Sequence, residues 1–133
     1  MHLSATPESI AAFAERGISG PVTMLNLLRF REVADYRETP ELSPDEPITG
    51  ERAYEIYSAH TLPLLAAVGG EPILVGSGGE FLIGPHDEVW DWVLLVRYPD
   101  VQAFLAMTQN PEYMTGAGHR TAALADSRLL AIE

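Results

Sequence analysis

Four histidines, five tyrosines, two tryptophans and eight arginines carry most of the chemistry open to this 133-residue chain, which contains neither cysteine nor lysine. Without thiols there is no cysteine nucleophile, disulfide, cysteine-ligated zinc or thiolate-held iron–sulfur cluster. Without lysine there is no Schiff base and no phosphate-loop lysine. The run Gly76-Ser77-Gly78-Gly79 matches neither glycine-rich nucleotide fingerprint and leads into a strand, so a bulge or sharp bend is expected there. Val75 occupies the first glycine position of a G-x-S-x-G elbow, which leaves Ser77 without a nucleophile's setting. His2 is terminal, His86 lies in a turn, and His60 and His119 lack a histidine four residues away. No metal centre, haem ligand or other cofactor is expected.

The constellation that remains is Asn26, Arg29, Tyr54, Tyr57, His60, Trp92, Tyr98, His119 and Arg120. Asn26 interrupts a strand face that is otherwise apolar, and a buried amide there needs a ligand or a structural hydrogen bond. His60 borders the apolar face of its helix, and histidine is the side-chain type best suited to acid–base work near neutral pH, which makes it the candidate acid–base catalyst. The bland alternative is a histidine at the edge of the core. Trp92 and Tyr98 read first as core or dimer aromatics and second as aromatics that stack on a bound ligand. Arg29 and Arg120 could hold a carboxylate, or pair with one of the nineteen acidic side chains. Gly116 and Gly118 weaken the helix before His119, which implies close packing or a mobile edge.

The elements that must position these groups follow from pattern. Thr6-Pro7-Glu8 opens a short helix to about Arg16. Val22 to Phe30 alternates as a strand with Val22, Met24, Asn26, Leu28 and Phe30 on one face and Thr23, Leu25, Leu27 and Arg29 on the other; both faces are mostly apolar. About residues 31–50 form a long acidic loop carrying Pro40, Pro44 and Pro47, read as a lid or arm whose removal the fold would survive. Glu51 to Val68 has helical spacing, with a bend expected at Pro63 beside His60. Pro72 to Gly84 and Glu88 to Tyr98 make a hairpin, the latter again apolar on both faces. Asp100 caps a helix, Asn110-Pro111 restarts one through Ala125, and Leu129 to Ile132 close the chain as a strand.

This order is an N-terminal helix followed by β-α-β-β-α-β, a single α+β domain over residues 1–133 with an antiparallel four-stranded sheet of ferredoxin-like type. Helices cover one face of such a sheet, so the second apolar face is expected to bury itself on another copy. The formal charge of −11, from eight arginines against nineteen acids, repels a phosphate backbone and an anionic membrane, so neither nucleic acid nor membrane is expected as a partner. An apolar content of 47% supports a packed core. The opening residues lack a basic segment followed by an apolar stretch, and no apolar run is long enough to cross a bilayer, which points to a cytoplasmic protein.

Taken together, MLNLLRF (24–30), YEIYSAHTLPLLAAVGGEPILVG (54–76), WDWVLLVRYPD (90–100), FLAMTQNPEY (104–113) and ADSRLL (125–130) resemble the family of domain of unknown function 1330, within the dimeric α/β-barrel superfamily. The resemblance implies a homodimer of ferredoxin-like units with a cleft between sheet and helices. Better-known members of that superfamily include cofactor-independent oxygenases, lactone isomerases and haem-binding enzymes, but a shared fold does not carry their chemistry across. Three readings stand: a cofactor-independent oxygenase or isomerase acting on a small organic molecule, a dimer that binds such a ligand without turnover, and a structural dimer. Asn26 and His60, facing the cleft between the first strand and the helix from Glu51, are the polar pair expected at a site.

Overall fold

A computed structural model describes residues Met1–Glu133. The element order is α1 (Pro7–Glu15), β1 (Val22–Phe30), a short 3-10 turn (Pro40–Leu42), α2 (Gly50–Ala67), β2 (Glu71–Glu80), β3 (Val89–Tyr98), α3 (Val101–Thr108), α4 (Pro111–Ala123) and β4 (Leu124–Ile132). The strands form one antiparallel sheet in the order β2-β3-β1-β4, the arrangement expected from the chain order of the elements. No helix is long and apolar enough to cross a membrane.

Helix starts are set by side chains that satisfy free amides. Thr6, Thr49, Asp100 and Asn110 each accept from a backbone N–H in the first turn, and proline opens α1 and α4. Helix α2 runs unbroken through Pro63. Glycine allows close approach between elements at two key places. The backbone of Gly50 fits between Arg31 and Ala123, and Gly116 lies under the His60 ring, so α2 and α4 touch.

Two clusters fill the space between sheet and helices. One joins Leu28 to Ala53 and Tyr54 of α2, Ala122 and Ala123 of α4, Leu124 and Tyr36. The other joins Val22, Met24 and Tyr98 to Leu65 of α2 and Ala103 and Met107 of α3. On the opposite face Leu25 pairs with Leu95 and Leu130, Leu27 with Val93, and Leu74 with Leu95. Leu74, Leu130 and Ile132 remain exposed there. The sheet therefore has the second apolar face that strand alternation predicts.

Three local expectations are corrected. Strand β2 passes through Gly76–Gly79 without a bulge, and its register shift falls instead between Pro72 and Leu74. Gly78 is needed because a β-carbon there would meet the Trp90 carbonyl across the ladder. Helix α4 ends at Ala123, and β4 begins five residues earlier than expected, at Leu124, because Leu124 and Ser127 pack inward and Asp126 and Ser127 pair with β1. The 31–49 connection is ordered rather than a detached lid. Tyr36 is only 7% exposed within the first core cluster, and Thr39 and Leu42 lie against Gly118.

Candidate functional site

The aromatic part of the constellation assembles. Tyr54 projects from α2 onto the sheet, with ring centroids 5.7 Å from Phe30 and 6.0 Å from Trp92, and Tyr57 stands 5.1 Å behind it. Phe30 and Trp92 meet edge to face at 5.0 Å. Tyr57 reaches α4, where its hydroxyl lies 2.9 Å from that of Tyr113. Burial pushes the Tyr54 hydroxyl up to about 12, against the opposing pull of Arg120. Burial also raises Tyr57 well above the usual phenol range. Both are neutral at ordinary pH and act as hydrogen-bonding groups, not as bases.

Next to this cluster, between the end of β1 and the start of α2, lies an open cavity of about 410 Å³. Phe30 and Trp92 form its aromatic wall, Thr49 and Ser77 contribute hydroxyls, and Arg31, Glu32, Glu51 and Asp91 contribute charge. The Arg31 Nε is buried and has no hydrogen-bond partner in the protein, an uncommon state for a buried donor. The Asp91 carboxylate is fixed by the Phe30 backbone N–H, which donates to it at 2.8 Å. The cavity lies at the end of β1 and the start of α2, and neither Asn26 nor His60, the polar pair expected from sequence, lines it.

Of the nine residues singled out by sequence, Trp92 lines this cavity, and Tyr54 and Tyr57 stand behind its wall. The others have partners elsewhere. The Asn26 amide donates to the Met24 carbonyl at 3.2 Å. His60 donates through Nε2 to the Glu112 carbonyl at 2.6 Å, tying α2 to α4. His119 Nδ1 lies 2.8 Å from the Tyr36 hydroxyl. Arg120 donates to the Leu3 carbonyl at 2.7 Å and to Ser127 Oγ at 3.4 Å. Tyr98 packs against Phe104 at 5.2 Å. The Arg29 Nε donates to the Val89 carbonyl at 3.0 Å and its guanidinium stacks on Trp90. Sequence reasoning passed over Arg31, Glu32, Glu51 and Asp91 because charged surface side chains are common. One usable signal was Asp91 itself, a carboxylate between two tryptophans in a strand.

The His119 contact has a consequence for stability. Burial first, and the nearby His60 second, hold His119 below the usual histidine range. The folded state therefore binds this proton more weakly than the unfolded chain. Its contribution is complete above the unfolded value of about 6.5 and is lost as pH falls below it. Urea unfolding at pH 7.5 and 5.5 should show lower stability at the acid value, and His119→Gln should shrink that difference. An unchanged difference in the variant would assign the acid sensitivity to another group.

A four-stranded antiparallel sheet with helices on one face and an aromatic-walled cavity between the layers defines a ferredoxin-like α+β protein. The chain belongs to the family of domain of unknown function DUF1330, which matches residues 45–133. It is similar to the RPA0582 protein of unknown function from Rhodopseudomonas palustris, at 39% identity over 98% of this chain and 95% of that one, with a TM-score of 0.84. Its fold is shared with SnoaB, a cofactor-independent oxygenase from Streptomyces nogalater, at 16% identity over 86% of this chain and 93% of that one, TM-score 0.53. It is also shared with a dimeric protein of unknown function and ferredoxin-like fold from Bacteroides fragilis, at 12% identity over 85% and 95%, TM-score 0.51. No curated protein matches the chain.

Proposed function

We propose that this protein is a homodimer that binds a small organic molecule in the cleft between sheet and helices, at the N-terminal end of α2. The observation that carries the reading is the pairing, around one open cavity of about 410 Å³, of the Phe30–Trp92 aromatic wall with the charged side chains of Arg31, Glu32, Glu51 and Asp91. That size suits a small ring compound. Phe30 and Trp92 would face its ring, Arg31 would meet an acceptor on it, and Glu32, Glu51 and Asp91 favour a ligand that also carries a donor or a positive charge. Proton transfer from such a ligand would fall to those carboxylates, the proton-accepting side chains that line the cavity.

Ligand-observed NMR with tryptophan, tryptamine and indole-3-acetate tests the site. Tryptophan or tryptamine should bind, and Trp92→Ala should weaken binding at least about 10-fold while His60→Ala leaves it unchanged. Binding lost in His60→Ala and retained in Trp92→Ala would move the site to the α2–α4 contact. Failure of all three probes to bind would overturn the reading. The dimer reading rests on the exposed second face of the sheet, where Leu74, Leu130 and Ile132 adjoin Leu25, Leu27, Val93 and Leu95. Such an interface is hydrophobic and should persist in high salt. Sedimentation showing only monomer at micromolar concentration would sink it.

A further inference from the structure

The hairpin joining β2 to β3 has a fixed root and a bare apolar tip. Pairing of β1 with β3 ends at Leu28 and Trp92, while β2 and β3 stay paired out to Glu80 and Val89. At the root, Trp90 is 1% exposed and lies between two guanidinium groups, with the carbon of Arg128 4.9 Å and that of Arg29 5.4 Å from its ring. Arg128 is in turn held by Asp126 at 2.8 Å and Glu88 at 3.6 Å. At the tip the Phe81 ring folds against Gly84. Leu82 and Ile83 point away from the protein, 100% and 92% exposed. Two adjacent large apolar residues on a held ribbon form a presented surface rather than a frayed loop.

We propose that this hairpin is an arm that docks on a second copy of the chain, with Leu82 and Ile83 as its anchors; the inference rests on the dimer reading above. On the second face both outer strands of the sheet carry exposed apolar side chains, Leu74 on β2 and Leu130 and Ile132 on β4. In an isologous pair with its two-fold axis along the strands, β2 of one copy lies over β4 of the other. The apolar edges then cover each other, and each arm extends from β2 along its partner. The uncharged tip, Phe81 to Pro85, also avoids opposing acids between two copies that each carry a formal charge of −11, the same charge that disfavours an anionic membrane surface as the occupant.

Two variants test the arm. Leu82→Ser/Ile83→Ser, with its fold checked by circular dichroism, should raise the dimer dissociation constant at least about 100-fold in sedimentation equilibrium, since each side chain loses a largely apolar burial. Leu82→Cys, in a chain with no other cysteine, carries a solvatochromic label whose emission should shift to the blue as protein concentration rises through the dimer range. A wild-type dimer whose affinity the double variant leaves unchanged, or a label indifferent to dimerisation, overturns the arm alone. A monomeric wild type overturns the dimer with it. A blue shift produced only by phosphatidylcholine vesicles also overturns the proposal, and makes the tip a membrane contact instead.

Discussion

Replacing Gly50 by alanine is expected to cost at least about 3 kcal/mol of folding stability, at the upper end of overpacking effects. A β-carbon at Gly50 would stand 2.5 Å from the Ala123 carbonyl and 2.7 Å from the Arg31 nitrogen, and closer still to the Arg31 carbonyl. None of these atoms is the free end of a side chain. The Arg31 N–H donates to the Ala123 carbonyl at 2.8 Å, and the Gly50 N–H donates to the Arg31 carbonyl at 3.0 Å. The methyl group therefore pushes on a backbone knot that joins the end of β1, the start of α2 and the α4–β4 junction. Relief would mean giving up buried hydrogen bonds. Gly76→Ala is the control, since nothing lies within 4 Å of a β-carbon there. Urea denaturation should show Gly76→Ala near wild type and Gly50→Ala at least about 3 kcal/mol below it. A Gly50→Ala cost under about 1 kcal/mol would show that the start of α2 can shift freely. Because Arg31, Thr49 and Glu51 line the cavity, the same variant should also weaken ligand binding.

Tyr36→Ala should cost about 3 to 4 kcal/mol, the range for removing a large buried aromatic. Tyr36 comes from a loop, yet it packs in the same cluster as Leu28, Tyr54 and Leu124. Its hydroxyl meets His119, and neighbouring segments pair with the chain on both sides, Asp35 N–H to the Ala122 carbonyl and Ala34 N–H to the Ile48 carbonyl. Tyr36→Phe keeps the ring and loses only the hydrogen bond, so it should cost about 1 kcal/mol. Thermal denaturation of the two variants separates packing from hydrogen bonding. Equal losses would mean that the hydroxyl, not the ring, holds the loop. Removal of most of residues 33–48 should destabilise the protein at least as much as Tyr36→Ala, contrary to what the loop's composition implies.

Why that loop misleads is instructive. Its prolines and acids prevent a regular period, and irregular chain with high charge normally reads as detached. The decisive contacts are instead long-range, between Tyr36 and residues more than eighty positions away. Strand β4 misleads in the opposite way. Asp126, Ser127 and Arg128 spoil its alternation, yet each has a fixed partner: Asp126 accepts from Arg128 and from the backbone of His2 and Ser127, and Ser127 Oγ donates to the His2 carbonyl. Hydrogen bonds from residue 2 cannot be foreseen in a window around residue 126.

By itself, the sequence determined the order of the elements, the two apolar faces of β1 and β3, the capped helix starts and hence the ferredoxin-like sheet. All of these depend on periods of two or 3.6 residues and on local capping chemistry, which act over a few positions. Only the tertiary structure decided which polar groups face the cavity beside Trp92. His60, Asn26, His119 and Arg120 have the residue types of a site, but their hydrogen-bonding groups already have partners, the Met24 carbonyl of the same strand for Asn26 and backbone carbonyls or a hydroxyl from distant segments for the other three. Arg31 has no such partner for its buried Nε, and Asp91 is held beside Trp92 at the cavity. A side chain's chemistry is written in the sequence, whereas whether that chemistry is already spent on the protein depends on neighbours that only folding brings within 3 Å or so of it.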